Sequence, residues 1–217
     1  MISIKRNELV IDENQLKKYQ EMFAEQHALV FPHFLHPSLE SFITSYLTNA
    51  TYYIKSHINQ NNQRLIAKEF ALDLDNMLYK VLSFYLNNPK LLEVIKSITG
   101  LQEIKSFQGR IYKFEESENT FDNWHSDVRT ETEERLVGIS INLGNMPYEG
   151  GVFKLRNRAT QQLYTEVKHD QWGACHFFRI SPKLEHMVTN VSGTQARIVY
   201  AGWFNNSEIT KALVFDK

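Results

Sequence analysis

The residues best suited to chemistry lie in the second half of the chain. Asn123-Trp-His-Ser-Asp127 places His125 and Asp127 two apart. On a strand, such residues point to the same side and can converge on one ion. The pair alone says little. With 8 His and 25 acidic residues in 217, about one His-x-Asp/Glu arises by chance, most simply as a surface His beside an acid. The context strengthens it. His186 follows Asp127 by 59 residues and Arg197 follows His186 by 11. Two imidazoles and one carboxylate suit a divalent transition metal bound on one face.

Counting ligands gives this set a purpose. An octahedral Fe(II) held by three protein atoms keeps three positions open. A 2-oxo acid can take two through its keto oxygen and C1 carboxylate, which leaves one for O2. The far carboxylate of such an acid needs a fixed cation, and a guanidinium suits it through paired hydrogen bonds. Arg197, on a strand after the second histidine, is placed for that role.

The elements around these residues read as two regions of one domain, 1–217. Residues 1–100 read as mostly helical support. Asp12 and Gln15 resemble a capping box. Pro37 reads as a first-turn proline before Leu39, Phe42, Ile43, Tyr46 and Leu47 at helical spacing. A third helix is expected over 74–86, and a fourth from Asn88-Pro89 to Gly100. Residues 104–217 change period. Short strands are expected over 104–114, 135–143, 152–155, 162–167, 174–180, 186–191 and 197–204, separated by glycine- and proline-bearing turns. The fold class is therefore mainly β with an N-terminal helical layer over a sandwich or barrel.

Composition excludes several alternatives. The net charge is -1, against the basic stripe expected of a nucleic-acid binder. There is no apolar run long enough for a membrane helix, and the first residues lack the apolar core of a signal peptide. The single cysteine, Cys175, can form no internal disulfide and sits in an apolar stretch, as a buried small residue would. A cytoplasmic location is expected.

Taken together, the residues resemble the Fe(II)/2-oxoglutarate-dependent dioxygenase superfamily. The pattern His-x-Asp…His…Arg is met by His125, Asp127, His186 and Arg197. Tyr148-Glu-Gly-Gly-Val-Phe153 resembles the turn and strand of prolyl-hydroxylase-like members. Gly173-Ala-Cys-His-Phe-Phe178, His186-Met-Val-Thr-Asn-Val191, Gly193 and Arg197-Ile-Val-Tyr-Ala-Gly-Trp203 resemble the closing strands. His27-Ala-Leu-Val-Phe-Pro-His-Phe-Leu35, and the stretch from Asn88-Pro-Lys-Leu-Leu92 to Thr99-Gly100, are similar to phytanoyl-CoA-hydroxylase-like members.

The resemblance implies a double-stranded β-helix (jelly-roll) core, Fe(II), and 2-oxoglutarate and O2 as cosubstrates. Tyr112 is then a cosubstrate contact. Asn142 is either a helper of Arg197 or a mark of the strand's wet face. Asp127, where halogenase-like members leave room for chloride, argues against a halogenase. The implied reaction couples hydroxylation of an unactivated C–H bond to decarboxylation of 2-oxoglutarate to succinate and CO2. A small metabolite is preferred as substrate. The alternatives are a peptidyl, prolyl-type substrate and a 2-oxoglutarate-binding or sensing module without turnover. Arg110, Trp124 and Arg129 flank the expected mouth as candidate substrate contacts, with loops near 115–122 and 128–134 expected to close over it. His176 reads as a core or supporting histidine, and Trp203 and Phe204 as core aromatics.

Overall fold

The structure is a computed structural model and describes residues 2–48, 50–58, 64–70, 77–115, 123–128, 135–168 and 171–208. Strands β1 (Ile2–Ile4) and β2 (Leu9–Ile11) form a hairpin. Helix α1 (Leu16–Gln26) leads into β3 (Ala28–Phe31) and then α2 (Glu40–Thr48). Strands β4 (Tyr52–Ile58) and β5 (Arg64–Phe70) pair, and α3 (Met77–Leu86) and α4 (Pro89–Thr99) follow. The second half runs β6 (Ser106–Phe114), β7 (Arg135–Asn142), β8 (Glu149–Gly150), β9 (Phe153–Asn157), β10 (Leu163–Val167), β11 (Cys175–Arg179), β12 (Leu184–Val188), β13 (Val191–Ser192) and β14 (Arg197–Asn205).

Helix boundaries follow their punctuation in part. Asn88 accepts from the amides of Lys90 and Leu91, Pro89 opens α4, and Gly100 closes it at φ 75, a left-handed cap that costs glycine little. His36 caps the turn at Pro37 by accepting from the Ser38 amide. The capping box at Asp12 does not form. A 3-10 turn over Glu13–Gln15 precedes α1, and the Asp12 side chain makes no cap hydrogen bond.

The first hundred residues are less helical than their periodicity suggests. β3 forms one edge of the main sheet and the β4–β5 pair the other, in the order β3-β11-β7-β14-β6-β5-β4. Opposite lies a smaller sheet ordered β10-β9-β12. The expected strand over 186–191 is split between β12 and β13.

Alternation sorts the main sheet's two faces. Phe107, Ile111, Val137, Ile139, Ile141, Cys175, Phe177, Tyr200 and Phe204 share one large core with α1, α3 and α4 residues such as Phe23, Leu82 and Ile95. Each Val, Leu, Ile or Phe among them contributes about 1.5–3 kcal/mol by leaving water. On the other face Phe178 meets Phe153 of the small sheet (ring centroids 4.8 Å), and Ala28, Leu155, Ile180 and Leu184 complete a second core. The two facing sheets are those of a double-stranded β-helix, and the helices cover one outer side.

Candidate metal centre and cosubstrate pocket

The register of β6, β7, β11 and β14 decides what faces the space between the sheets. Arg197 pairs with Phe114, Val199 with Tyr112, and Trp203 with Gln108 on β6. Ala201 pairs with Ser140 and Trp203 with Gly138 on β7, and His176 pairs with Ser140. All lie on the face away from the large core. On β7 the polar or small residues Gly138, Ser140 and Asn142 alternate with the core residues Val137, Ile139 and Ile141.

His125 is not on a regular strand. It makes an isolated antiparallel bridge to His186 of β12. The two exchange both backbone hydrogen bonds, His125 N to His186 O at 3.0 Å and His186 N to His125 O at 2.8 Å. This directly opposed pairing brings the imidazoles together, centroids 4.4 Å apart. Nδ1 of His125 lies 2.8 Å from the Asn123 carbonyl. A carbonyl only accepts, so Nδ1 carries the proton and Nε2 keeps a free lone pair. Asp127 completes the group, its Oδ2 3.6 Å from Nε2 of His186. Ligand atoms of His125, Asp127 and His186 all lie within 4.8 Å of one another, and the donor set fits a transition metal.

The electrostatics suit the same use. Burial alone would raise the Asp127 pKa. His186, His125, Arg135 and the Trp203 N–H outweigh it and hold the carboxyl below its usual range. Burial and the nearby His125 push His186 down to about 3, against the pull of Asp127. At neutral pH the cluster offers an anion and a neutral imidazole, the forms a metal needs.

Arg197 is 3% exposed. Its Nη2 donates to Ser140 Oγ at 3.2 Å, and a hydrogen bond to Tyr148 partly offsets the lowering of its pKa by burial. Its Nε is buried with no hydrogen-bond partner. An unmet donor on a buried cation is costly, and a carboxylate would satisfy it. Gly151 makes room for this arrangement, since a Cβ there would lie 2.9 Å from Arg197 Cδ.

The other expected residues sort differently. Tyr112 is on the site face, its ring stacked at 5.9 Å on Phe114, which lies 5.4 Å from the Arg197 guanidinium. Arg110, partly exposed, shares that face. Asn142 does not mark a wet face. It is 0% exposed, and its side chain donates to the carbonyls of Gly144 (3.2 Å) and Gln171 (3.1 Å) and accepts from the Gly144 amide, so it holds two turns. Trp124 lies under the Arg156 guanidinium, 3.8 Å from ring centroid to carbon, and Arg156 is paired with Glu185 at 2.6 Å. One residue from His125, it is turned by alternation toward the sheet's other face, away from the expected mouth. Arg129 and most of the two expected closing loops lie outside the described residues. His176 packs against Phe153 at 4.2 Å as a supporting residue. Cys175 is fully buried, and burial holds its thiol well above the usual pKa.

Ser140, Tyr148 and Gln108, whose Nε2 is buried without a partner, are additions the sequence reading lacked. The polar period-two row within β7 was the available signal for Ser140. Trp203, expected as a core aromatic, packs against the second core and also donates to Asp127 Oδ2 at 2.7 Å.

The 2OG-Fe(II) oxygenase superfamily model matches residues 107–205, the stretch that carries this site. Over that segment the chain is similar to the superfamily. Members are non-haem iron enzymes that use Fe(II) and 2-oxoglutarate. No curated protein matches significantly by sequence. Among solved structures, an oxidoreductase of the 2OG-Fe(II) oxygenase family from Burkholderia pseudomallei has a TM-score of 0.63 at 12% identity, covering 92% of this chain and 94% of that one. A prolyl-4-hydroxylase from Pseudomonas putida gives 0.58 at 16%, covering 87% and 97%. The epimerase SnoN from nogalamycin biosynthesis, in complex with Fe3+, alpha ketoglutarate and nogalamycin RO, gives 0.56 at 11%, covering 88% and 83%. These likenesses show the fold. No helix among the described residues is long and apolar enough to cross a membrane.

Proposed function

We propose that this protein is an oxygenase that hydroxylates an unactivated C–H bond of a small metabolite, with His125, Asp127 and His186 holding Fe(II) and Arg197 holding the C5 carboxylate of 2-oxoglutarate. One O2 and one 2-oxoglutarate would be consumed per hydroxyl group formed, giving succinate and CO2. The observation that carries the reading is the pairing of two features at the space between the two sheets: three convergent ligand side chains, and a buried arginine with an unmet donor. Iron, when bound, supplies the O2 activation that side chains lack. The chain's own part is positional. The Asn123 carbonyl orients His125, Ser140 and Tyr148 hold the guanidinium, and Phe153, Phe178 and Leu155 exclude water. Tyr112 stands near the cosubstrate end, and Arg110 near the substrate.

The similarity to a prolyl-4-hydroxylase over most of both chains supports a peptidyl substrate as the second reading. A succinate-release screen with small metabolites against proline-containing peptides separates the two. A binding module without turnover would have no need of a complete ligand set.

The test is an anaerobic titration of metal-free protein with Fe(II), then 2-oxoglutarate. A visible charge-transfer band is expected, lost in Asp127→Ala and weakened in Arg197→Ala. A folded wild-type protein that shows no band would remove the main support for this reading.

A further inference from the structure

We propose that Trp203 and Arg135 are positioning residues that fix Asp127 as a one-oxygen ligand, which keeps the cosubstrate's coordination positions open. The inference rests on the iron-binding reading above and adds residues to it. Asp127 sits on an irregular segment, 123–128, so its backbone does not set its carboxylate. Two side chains do. Trp203 Nε1 donates to Oδ2 at 2.7 Å. Arg135 Nη1 reaches Oδ1 at 3.5 Å. The Arg135 guanidinium carbon also lies over the Trp203 indole, 3.4 Å from its centroid. The three groups therefore interlock, each fixed by the other two.

The two carboxylate oxygens are not equivalent. Oδ2 lies 3.6 Å from His186 Nε2 and faces the ligand cluster. Oδ1 is turned to Arg135 and engaged there. Chelation through both oxygens would need Oδ1 to leave Arg135 and take a fourth position on the metal. A 2-oxo acid and O2 together need three. Arg135 thus protects the open face from the protein's own ligand, and the indole N–H sets which oxygen points inward. Supporting hydrogen bonds of this kind tune both affinity and geometry at metal sites.

The roles separate by variant. Trp203→Phe keeps an aromatic surface for Arg135 but loses the N–H. Fe(II) affinity should fall by roughly 10- to 100-fold, and the charge-transfer band should shift in energy. Arg135→Ala should weaken 2-oxoglutarate binding to the iron-loaded protein, although Arg135 lies at the far end of β7 from the Ser140 that holds Arg197. Arg135→Lys should recover part of that loss. Trp172→Phe, a like-sized change in the large core, should leave the band in place.

The anaerobic titration on all four variants, beside circular dichroism of the metal-free proteins, decides the matter. No band in wild type defeats the iron reading itself. A wild-type band with Trp203→Phe and Arg135→Ala unchanged in iron affinity, band energy and 2-oxoglutarate affinity overturns this inference alone. If Trp203→Phe does not fold, Arg135→Ala and Arg135→Lys decide it: an Arg135→Ala protein with wild-type 2-oxoglutarate affinity is the overturning result.

Discussion

His186 is a base kept neutral by its surroundings. Burial and the facing His125 hold it at about 3, while in an unfolded chain an imidazole titrates near 6.5. Between these values the unfolded chain binds a proton that the folded chain refuses. Stability is therefore complete above about pH 6.5 and is lost as the pH falls toward 3. We expect the metal-free protein to melt at progressively lower temperature from pH 7 to pH 5, and His186→Gln to show a flatter profile. Parallel profiles for the two proteins would show that this residue is not the source. Metal binding should weaken over the same range, because proton and metal compete for one lone pair.

At the scale of elements, what positions the site is a set of close approaches between strands. Gly138 of β7 has the Phe178 ring where a side chain would be, with a Cβ falling 2.1 Å from Phe178 Cζ. Phe178 in turn lies 4.6 Å from the His186 ring. Gly138→Ala should therefore cost about 1–3 kcal/mol by overpacking, read by urea unfolding, and should weaken metal binding by displacing His186. Unchanged metal affinity in a destabilised Gly138→Ala protein would break the link between ring and ligand.

Such approaches also mark where the sequence was legible. The α4 caps at Asn88 and Gly100 and the runs that became β6, β7 and β14 carry strong local signals, and His125, Asp127, His186 and Arg197 stood out together by the pattern they resemble rather than by any one spacing. β3 has four residues, too few to establish a period, and becomes a strand because β11 offers an edge. Trp203 reads as core because its neighbours are apolar. Its partner Asp127 is 76 residues away and only the fold brings it near. Trp124 beside His125 suggested a substrate contact, but the bridge to His186 turns it to the other face, against Arg156. His125 and Asp127 do converge, though on an irregular segment rather than a strand.

For the whole molecule, the site joins two sheets that are otherwise separate hydrogen-bonded units. The main sheet supplies Arg197, Ser140 and Trp203, and the small sheet supplies His186. The helical layer is packed on the far side of the main sheet, so it stiffens one wall and leaves the space between the sheets clear. The 123–128 segment pairs with the edge strand β12 of the small sheet at His125 and meets the main sheet through Asp127, which contacts Trp203 and Arg135. Its backbone hold on the small sheet is the His125–His186 bridge, with a long contact from Ser126 Oγ to the Ser181 carbonyl at 3.4 Å. That bridge has a consequence in exchange kinetics. Both of its amide protons point into the same two-bond ring, so neither can meet solvent deuterium unless the ring opens, and one opening frees both. In metal-free protein the His125 and His186 amides should exchange at closely matched rates. Loading a metal that ties the two side chains should slow them by a common factor, visible by deuterium exchange resolved to single residues. If His125 exchanges freely while His186 becomes protected, the two histidines do not open as one gate.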